Sequence, residues 1–194
     1  MREIITKKII DANLHLARGQ SVKWASIVHK GWNAPRQITV TLAGAGATFE
    51  WHIVVLGRGT ETFPLAIRVI HAAPDTTSRI SARCILFDSA RIAFTGDAVV
   101  EKRARRADTH LAFRSLLLSE KAHARTIPSL EIKTDDVRAG HAASVDRLSD
   151  DALFYSASRG LSRDEAQTLL ARAFLAQDFP ASSHAAFRKM MQTI

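Results

Sequence analysis

The sequence predicts a mainly β fold: an all-β core followed by a C-terminal helical tail. Three observations predict it. Strand-like runs succeed one another from residue 21 to residue 137, with turn residues between them and no helical pattern interrupting them. After His141 the periodicity becomes helical and is opened by cap residues. Finally, Leu86-Phe-Asp-Ser-Ala-Arg-Ile92 aligns with Leu118-Ser-Glu-Lys-Ala-His-Ala124 at an offset of 32, which places Val100 on Ile132. A repeat of that length is a sign of stacked units. The chain divides accordingly into residues 1–20, a short N-terminal helix or extension; residues 21–147, the β core; and residues 148–194, the helical part.

Residues 3–18 read as a short amphipathic helix with Ile9, Ile10, Leu14 and Leu16 among its apolar positions, ended by Gly19. The strand-like runs are Val22–Val28, Ile38–Leu42, Phe49–Leu56, Phe63–Ile70, Ile80–Phe87, Ile92–Val100, Leu111–Leu118 and Leu130–Val137. Ile38-Thr-Val-Thr-Leu42 alternates strictly, and β-branched residues are frequent throughout. A sandwich, a barrel and a β-helix all satisfy this pattern. In the tail, Ser149 is an N-cap with Asp150 and Asp151 in the first turn, and Gly160 stops that helix. Ser162-Arg-Asp-Glu165 is a capping box for a second helix, with Ala166, Leu169, Leu170, Ala173 and Phe174 on one face. Pro180 ends it, and Ser183–Thr193 reads as a third helix.

Size and composition narrow the classes. A chain of 194 residues with 46% hydrophobic residues buries a real core. No apolar run approaches the roughly 20 residues that span a bilayer, and the N-terminus lacks a signal-peptide core, so the expected compartment is the cytoplasm. A single cysteine, Cys84, excludes an intrachain disulfide and sits in a strand-like run, where a buried, inert thiol is expected. The net charge of +8 is concentrated in part at Glu101-Lys-Arg-Ala-Arg-Arg106. That cluster reads as a solvated turn; its lack of aromatic neighbours argues against nucleic-acid binding.

Catalytic motifs are scarce. Leu42-Ala-Gly-Ala-Gly-Ala-Thr-Phe49 lacks the third glycine of a dinucleotide loop and enters a strand rather than a helix, so its glycines serve turns and packing. The eight histidines show no metal-ligand spacing and none lies near Cys84 in sequence. Asp135-Asp136 reads as a turn. A β-helix enzyme acting on polysaccharide needs acids clustered along a groove, and a basic nucleic-acid-binding module would use Lys102, Arg103, Arg105 and Arg106. Both stand as alternatives.

Several ordered segments carry a resemblance. They are His71-Ala-Ala-Pro-Asp-Thr-Thr-Ser78, Ala93-Phe-Thr-Gly-Asp-Ala-Val-Val100, Leu116-Leu-Leu-Ser-Glu-Lys-Ala122, Ile127-Pro-Ser-Leu-Glu-Ile132, Asp136-Val-Arg-Ala-Gly-His-Ala-Ala-Ser-Val145 and Phe154-Tyr-Ser-Ala-Ser-Arg-Gly160. In this order they resemble the SufB/SufD family of iron–sulfur cluster assembly proteins. The resemblance implies a right-handed parallel β-helix core with a C-terminal α-helical subdomain. It also implies a non-enzymatic scaffold that pairs with a SufB-like subunit or as a homodimer, and that docks a SufC-type ABC ATPase on the helical part. Ala122 stands where SufB-type chains carry a cysteine, and Ala142 follows the interface histidine where they carry glutamate, so the chain looks SufD-like. By resemblance, His141 is a ligand to iron or to a transient iron–sulfur cluster at the subunit interface, and Phe154, Tyr155, Arg159 and Gly160 dock the ATPase. A lone histidine without thiolates does not hold a cluster by itself, so the cluster is expected only in the complex, with none tightly bound by this chain alone. The region before the core is also shorter than the family's.

Overall fold

A computed structural model describes residues 2–6 as backbone, and residues 10–32 and 34–177 in full. Among the described residues, eleven strands coil into a parallel β-solenoid of about five turns. Six of them form sheet A, in the order β1 (Arg2–Thr6), β3 (Ser21–Val28), β5 (Thr48–Gly57), β7 (Thr77–Leu86), β9 (Ala107–Leu117) and β11 (Val137–Arg147). The other five form sheet B, in the order β10 (His123–Ile132), β8 (Arg91–Val100), β6 (Thr62–His71), β4 (Arg36–Leu42) and β2 (Ala12–Leu16). The chain alternates between sheets, so each strand lies beside the strand two before it, in parallel. This settles the choice among β architectures that alternation leaves open. The internal repeat is a structural one: β10 pairs with β8 at the offset of 32, His123 on Arg91 through Ile132 on Val100.

The helix expected over residues 3–18 is instead the two strands β1 and β2. Register against β3 and β4 gives each five-residue segment a ladder of backbone bonds to a partner remote in sequence. The run expected at Leu130–Val137 also divides: β10 ends at Ile132, a turn occupies residues 133–136, and β11 begins at Val137.

Inward side chains of both sheets make one apolar core, with Phe49, Trp51, Phe63, Phe94 and Phe113 all buried within it. Columns of it run across the strands, for example Trp51, Ile80 and Leu111 on successive strands of sheet A. Gly96 belongs to this packing: a Cβ there would sit 2.5 Å from the Phe113 ring, which itself stacks on Phe94 with centroids 5.3 Å apart. The glycine-rich segment after β4 is a turn packed on the turn below. A Cβ on Gly44 would overlap the Arg18 backbone, and Gly46 has φ of +71°.

Two helices follow. The first, α1 (Asp150–Ser158), starts at the Ser149 cap, whose side chain accepts from the Ala152 N–H, and ends before Gly160 at φ +86°. The second, α2 (Arg163–Ala176), opens with the complete Ser162–Glu165 capping box. It packs on the outer face of sheet A, where Ala171 and Leu175 meet Ala25, Ile27, Val54, Leu56, Ile85 and Leu116. The buried stripe is therefore Ala166, Ala171 and Leu175, while Leu169 and Ala173, expected inside, are exposed. Pro180 and the third helix expected at Ser183–Thr193 lie outside the described residues.

Candidate functional site

Among the described residues, nothing covers the core face of the last coil of the solenoid. Leu111 of β9 is fully buried, and the next position in its column is His141 of β11, which is exposed. The imidazole thus continues an apolar column, Trp51–Ile80–Leu111, on the terminal strand of sheet A. Opposite it, β10 continues the inward columns of β8: Pro128 follows Gly96, Leu130 follows Ala98, and Ile132 follows Val100. Ile132 is 39% exposed and Val145 of β11 is 44% exposed, although their counterparts one coil earlier, Val100 and Ser115, are buried. Among the described residues, no strand pairs with the outer edge of β10 or β11. This mouth therefore combines one imidazole, apolar side chains and two rows of unpaired backbone groups, the features that template further pairing.

Phe154 and Tyr155 are 76% and 61% exposed on α1, so they form no part of a core. Arg159 lies over the Tyr155 ring at 5.3 Å and donates to its hydroxyl at 3.2 Å, and Gly160 supplies the left-handed turn that ends the helix. With Leu169 of α2, also exposed, the helical part carries solvent-facing apolar side chains.

Cys84 is fully buried, and burial pushes its thiol pKa well above the ordinary range against the weaker effect of the neighbouring Ser115 hydroxyl. Ala122, in the turn before β10, is 4% exposed. Among the described residues, no three metal-ligating side chains gather into a site, and none of the helices is long and apolar enough to cross a membrane. The basic segment is the turn between β8 and β9. Arg106 makes a two-pronged bond to Asp75 at 2.7 Å, Arg105 pairs with Asp136 at 3.3 Å, and Arg103 donates to the Ala72 carbonyl at 2.6 Å. These cations serve the stacking of turns, and Asp136 is committed to the same ladder rather than to a groove of acids.

His71, Thr76 and Ser78 form a buried polar chain. Thr76 donates to the Ala73 carbonyl, so its oxygen accepts from His71 Nδ1 at 2.8 Å. Neutral His71 then accepts at Nε2 from Ser78 (2.9 Å), and Ser78 accepts from Thr109 (2.7 Å). Burial lowers the His71 pKa to about 4; the Asp108 charge opposes that shift and Arg79 reinforces it.

Comparison with known proteins decides what these features belong to. A family model, SUF system FeS cluster assembly, SufBD core domain, matches residues 6–174. The chain belongs to the SufBD family. It is 35% identical to the iron–sulfur cluster assembly protein SufD of Bacillus subtilis over 159 residues, 82% of this chain and 36% of that protein. Identity to SufB of the same organism is 28% over 173 residues, 89% of this chain and 34% of SufB. A SufBD family protein of Mycobacterium leprae is 31% identical over 163 residues, 73% of this chain and 42% of the relative. The SufBD chain described here thus spans about a third of the length of SufD and SufB. It is a SufD-like member of an iron–sulfur cluster assembly family.

Sequence reasoning missed one polar cluster, on the outer face of sheet A: Glu50 and His52 of β5, Arg79 and Ser81 of β7, and His110 of β9. The signal was present, since Glu50, Arg79 and His110 recur at offsets of 29 and 31. It becomes visible only once the strands are stacked in register.

Proposed function

We propose that this chain is a non-enzymatic, cytoplasmic SufD-like scaffold subunit of an iron–sulfur assembly complex. Its mouth pairs with a SufB-like subunit, and its helices dock a SufC-type ABC ATPase. The observation that carries this reading is the terminal coil, which among the described residues has His141 exposed on the core face and no strand paired to either edge. A second solenoid offering the same edges would complete the ladders and cover Ile132 and Val145. His141 offers a neutral imidazole to iron as cargo, and the partner subunit supplies the thiolates that this chain lacks at its mouth. Phe154, Tyr155, Arg159 and Gly160 form the docking element. Their exposure suits an apolar contact rimmed by one cation.

The test is copurification with tagged SufB-like and SufC-type chains. Phe154→Ala with Tyr155→Ala should abolish ATPase capture while leaving the SufB-like partner bound. His141→Ala should preserve both contacts and lower cluster maturation in cells. Loss of neither contact in any variant, or absence of both contacts in the folded wild type, rejects the scaffold.

A further inference from the structure

The two edge strands of the mouth differ in what their backbones offer. Along a strand, the N–H and C=O of successive residues turn to opposite sides. The His123 N–H donates to the Ala90 carbonyl at 3.1 Å, and the Lys133 N–H to the Val100 carbonyl at 2.9 Å. Register between them is unbroken, so the odd residues of β10 face β8 and the even residues, 124 to 132, face its outer edge. On sheet A, the Asp108 N–H donates to the Thr76 carbonyl and the Leu118 N–H to the Leu86 carbonyl, both at 2.9 Å. Even residues of β9 therefore face β7, and its odd residues face β11. In a parallel ladder the residue opposite such a position, as His141 is opposite Leu111, faces away. The odd residues of β11 thus face its outer edge.

Pro128 stands in the middle of the outward row of β10. Proline has no N–H, so this edge lacks its central donor while the ladder to β8 loses nothing. The other proline within a strand, Pro64, obeys the same rule: β4 begins at Arg36, opposite Leu65, one residue beyond it. By contrast β11 contains no proline, and Ala139, His141, Ala143 and Val145 each turn a donor and an acceptor outward. Among the described residues, neither edge has a strand beside it.

We infer that the two edges have different parts in association: β11 takes the strand of a partner solenoid, and Pro128 keeps a second copy of this chain from adding to β10. The first half rests on the mouth being the pairing surface proposed above; the second does not. A strand laid on β10 finds no donor opposite Pro128 and leaves its own carbonyl unbonded there, a penalty that the unbroken β11 edge does not impose. Proline is one of the devices that keep exposed edges from open-ended pairing. Two copies joined mouth to mouth by a two-fold axis carry the gap twice, once from each chain, whichever of their edges meet.

Pro128→Val restores the N–H with a residue that suits a strand. Without any partner present, sedimentation should show self-association at least tenfold tighter than in wild type, which is about the worth of one hydrogen bond. Amide exchange at Thr126 and Leu130 should slow with rising protein concentration in the variant and not in wild type. If Pro128→Val does not fold, Pro128→Ala supplies the same donor. The β11 half is tested by two prolines one residue apart. Ala143→Pro removes an outward donor, so it should weaken binding of a SufB-like chain at least tenfold and keep the fold. Ala142→Pro removes a donor to β9 and should lower the melting temperature further than Ala143→Pro does. Unchanged self-association in the folded Pro128 variant overturns the part given to Pro128. Undiminished SufB-like binding in Ala143→Pro, or equal melting of the two β11 variants, overturns the part given to β11. Failure of wild type to bind a SufB-like chain sinks the scaffold reading and the β11 half with it, whereas self-association decides the Pro128 half without a partner.

Discussion

The protons of His71 have no freedom of placement, because the hydrogen bonds from Thr109 through Ser78, His71 and Thr76 to the Ala73 carbonyl all run in one direction. Adding a proton at Nε2 would face it against a hydroxyl that is already donating. Folded His71 therefore titrates near 4 while the unfolded side chain titrates near 6.5. Between those values the unfolded state binds the extra proton, so stability is complete above about pH 6.5 and declines as pH falls to about 4. The loss assigned to this residue is about 3 kcal/mol. Urea unfolding from pH 7 to pH 4 measures it, and His71→Leu should flatten that part of the slope. An unaltered slope in the variant would refute the assignment. Gly96 supports a second expectation at this scale. With Phe113 pressed against its Cα, Gly96→Val overpacks the core and should destabilise by roughly 1–3 kcal/mol in the same assay.

At the scale of the element, strands announced themselves by alternation and helices by their caps. Ile38–Leu42 was legible because its inward residues are apolar and its outward ones are threonines, and the Ser162–Glu165 box marked its helix without tertiary information. The N-terminal segment was not legible, because what makes β1 and β2 strands is pairing with β3 and β4, partners remote in sequence. The β10–β11 boundary failed for a related reason. The turn at 133–136 is recognisable chiefly by stacking on the turn at 103–106, where the Arg106 N–H reaches the Asp136 carbonyl at 2.6 Å. The inner face of α2 was misjudged because two exposed apolar residues, Leu169 and Ala173, lie next to the true stripe. That stripe rests on residues that look redundant within the strands. Val54, Leu56, Ile85 and Leu116 are apolar on the outer face of sheet A, and they are buried by the helix. Leu175→Ala should consequently destabilise by about 2–5 kcal/mol and speed amide exchange in α2 before the strands. Uniform protection of α2 in that variant would show that the helix does not depend on this contact.

At the scale of the molecule, stacking makes each coil depend on its neighbours, and among the described residues the coil of β10 and β11 has a neighbour on one side only. The resemblance of the ordered motifs identified the family, and it named His141, but no linear pattern showed that His141 extends a buried column into the mouth. That knowledge comes from the register Leu111–His141, and with it the reason an isolated histidine stands on a core-facing position. The same geometry separates folding from assembly. Ile132 and Val145 are 39% and 44% exposed, so replacing them with lysine disturbs little that the monomer buries. Each replacement should change monomer stability by no more than about 0.5 kcal/mol. In a paired solenoid the same positions would be covered, and a desolvated lysine there would oppose closure. Ile132→Lys with Val145→Lys should therefore leave the melting curve nearly unchanged, while weakening association with a SufB-like chain at least tenfold in calorimetry. Amide exchange gives the second reading of the same experiment. In wild type, adding the partner should slow exchange along β10 and β11 and spare β4 and β6; in the double variant neither pair should respond. Association undiminished in the double variant, or protection appearing elsewhere on the solenoid, would place the interface on another face.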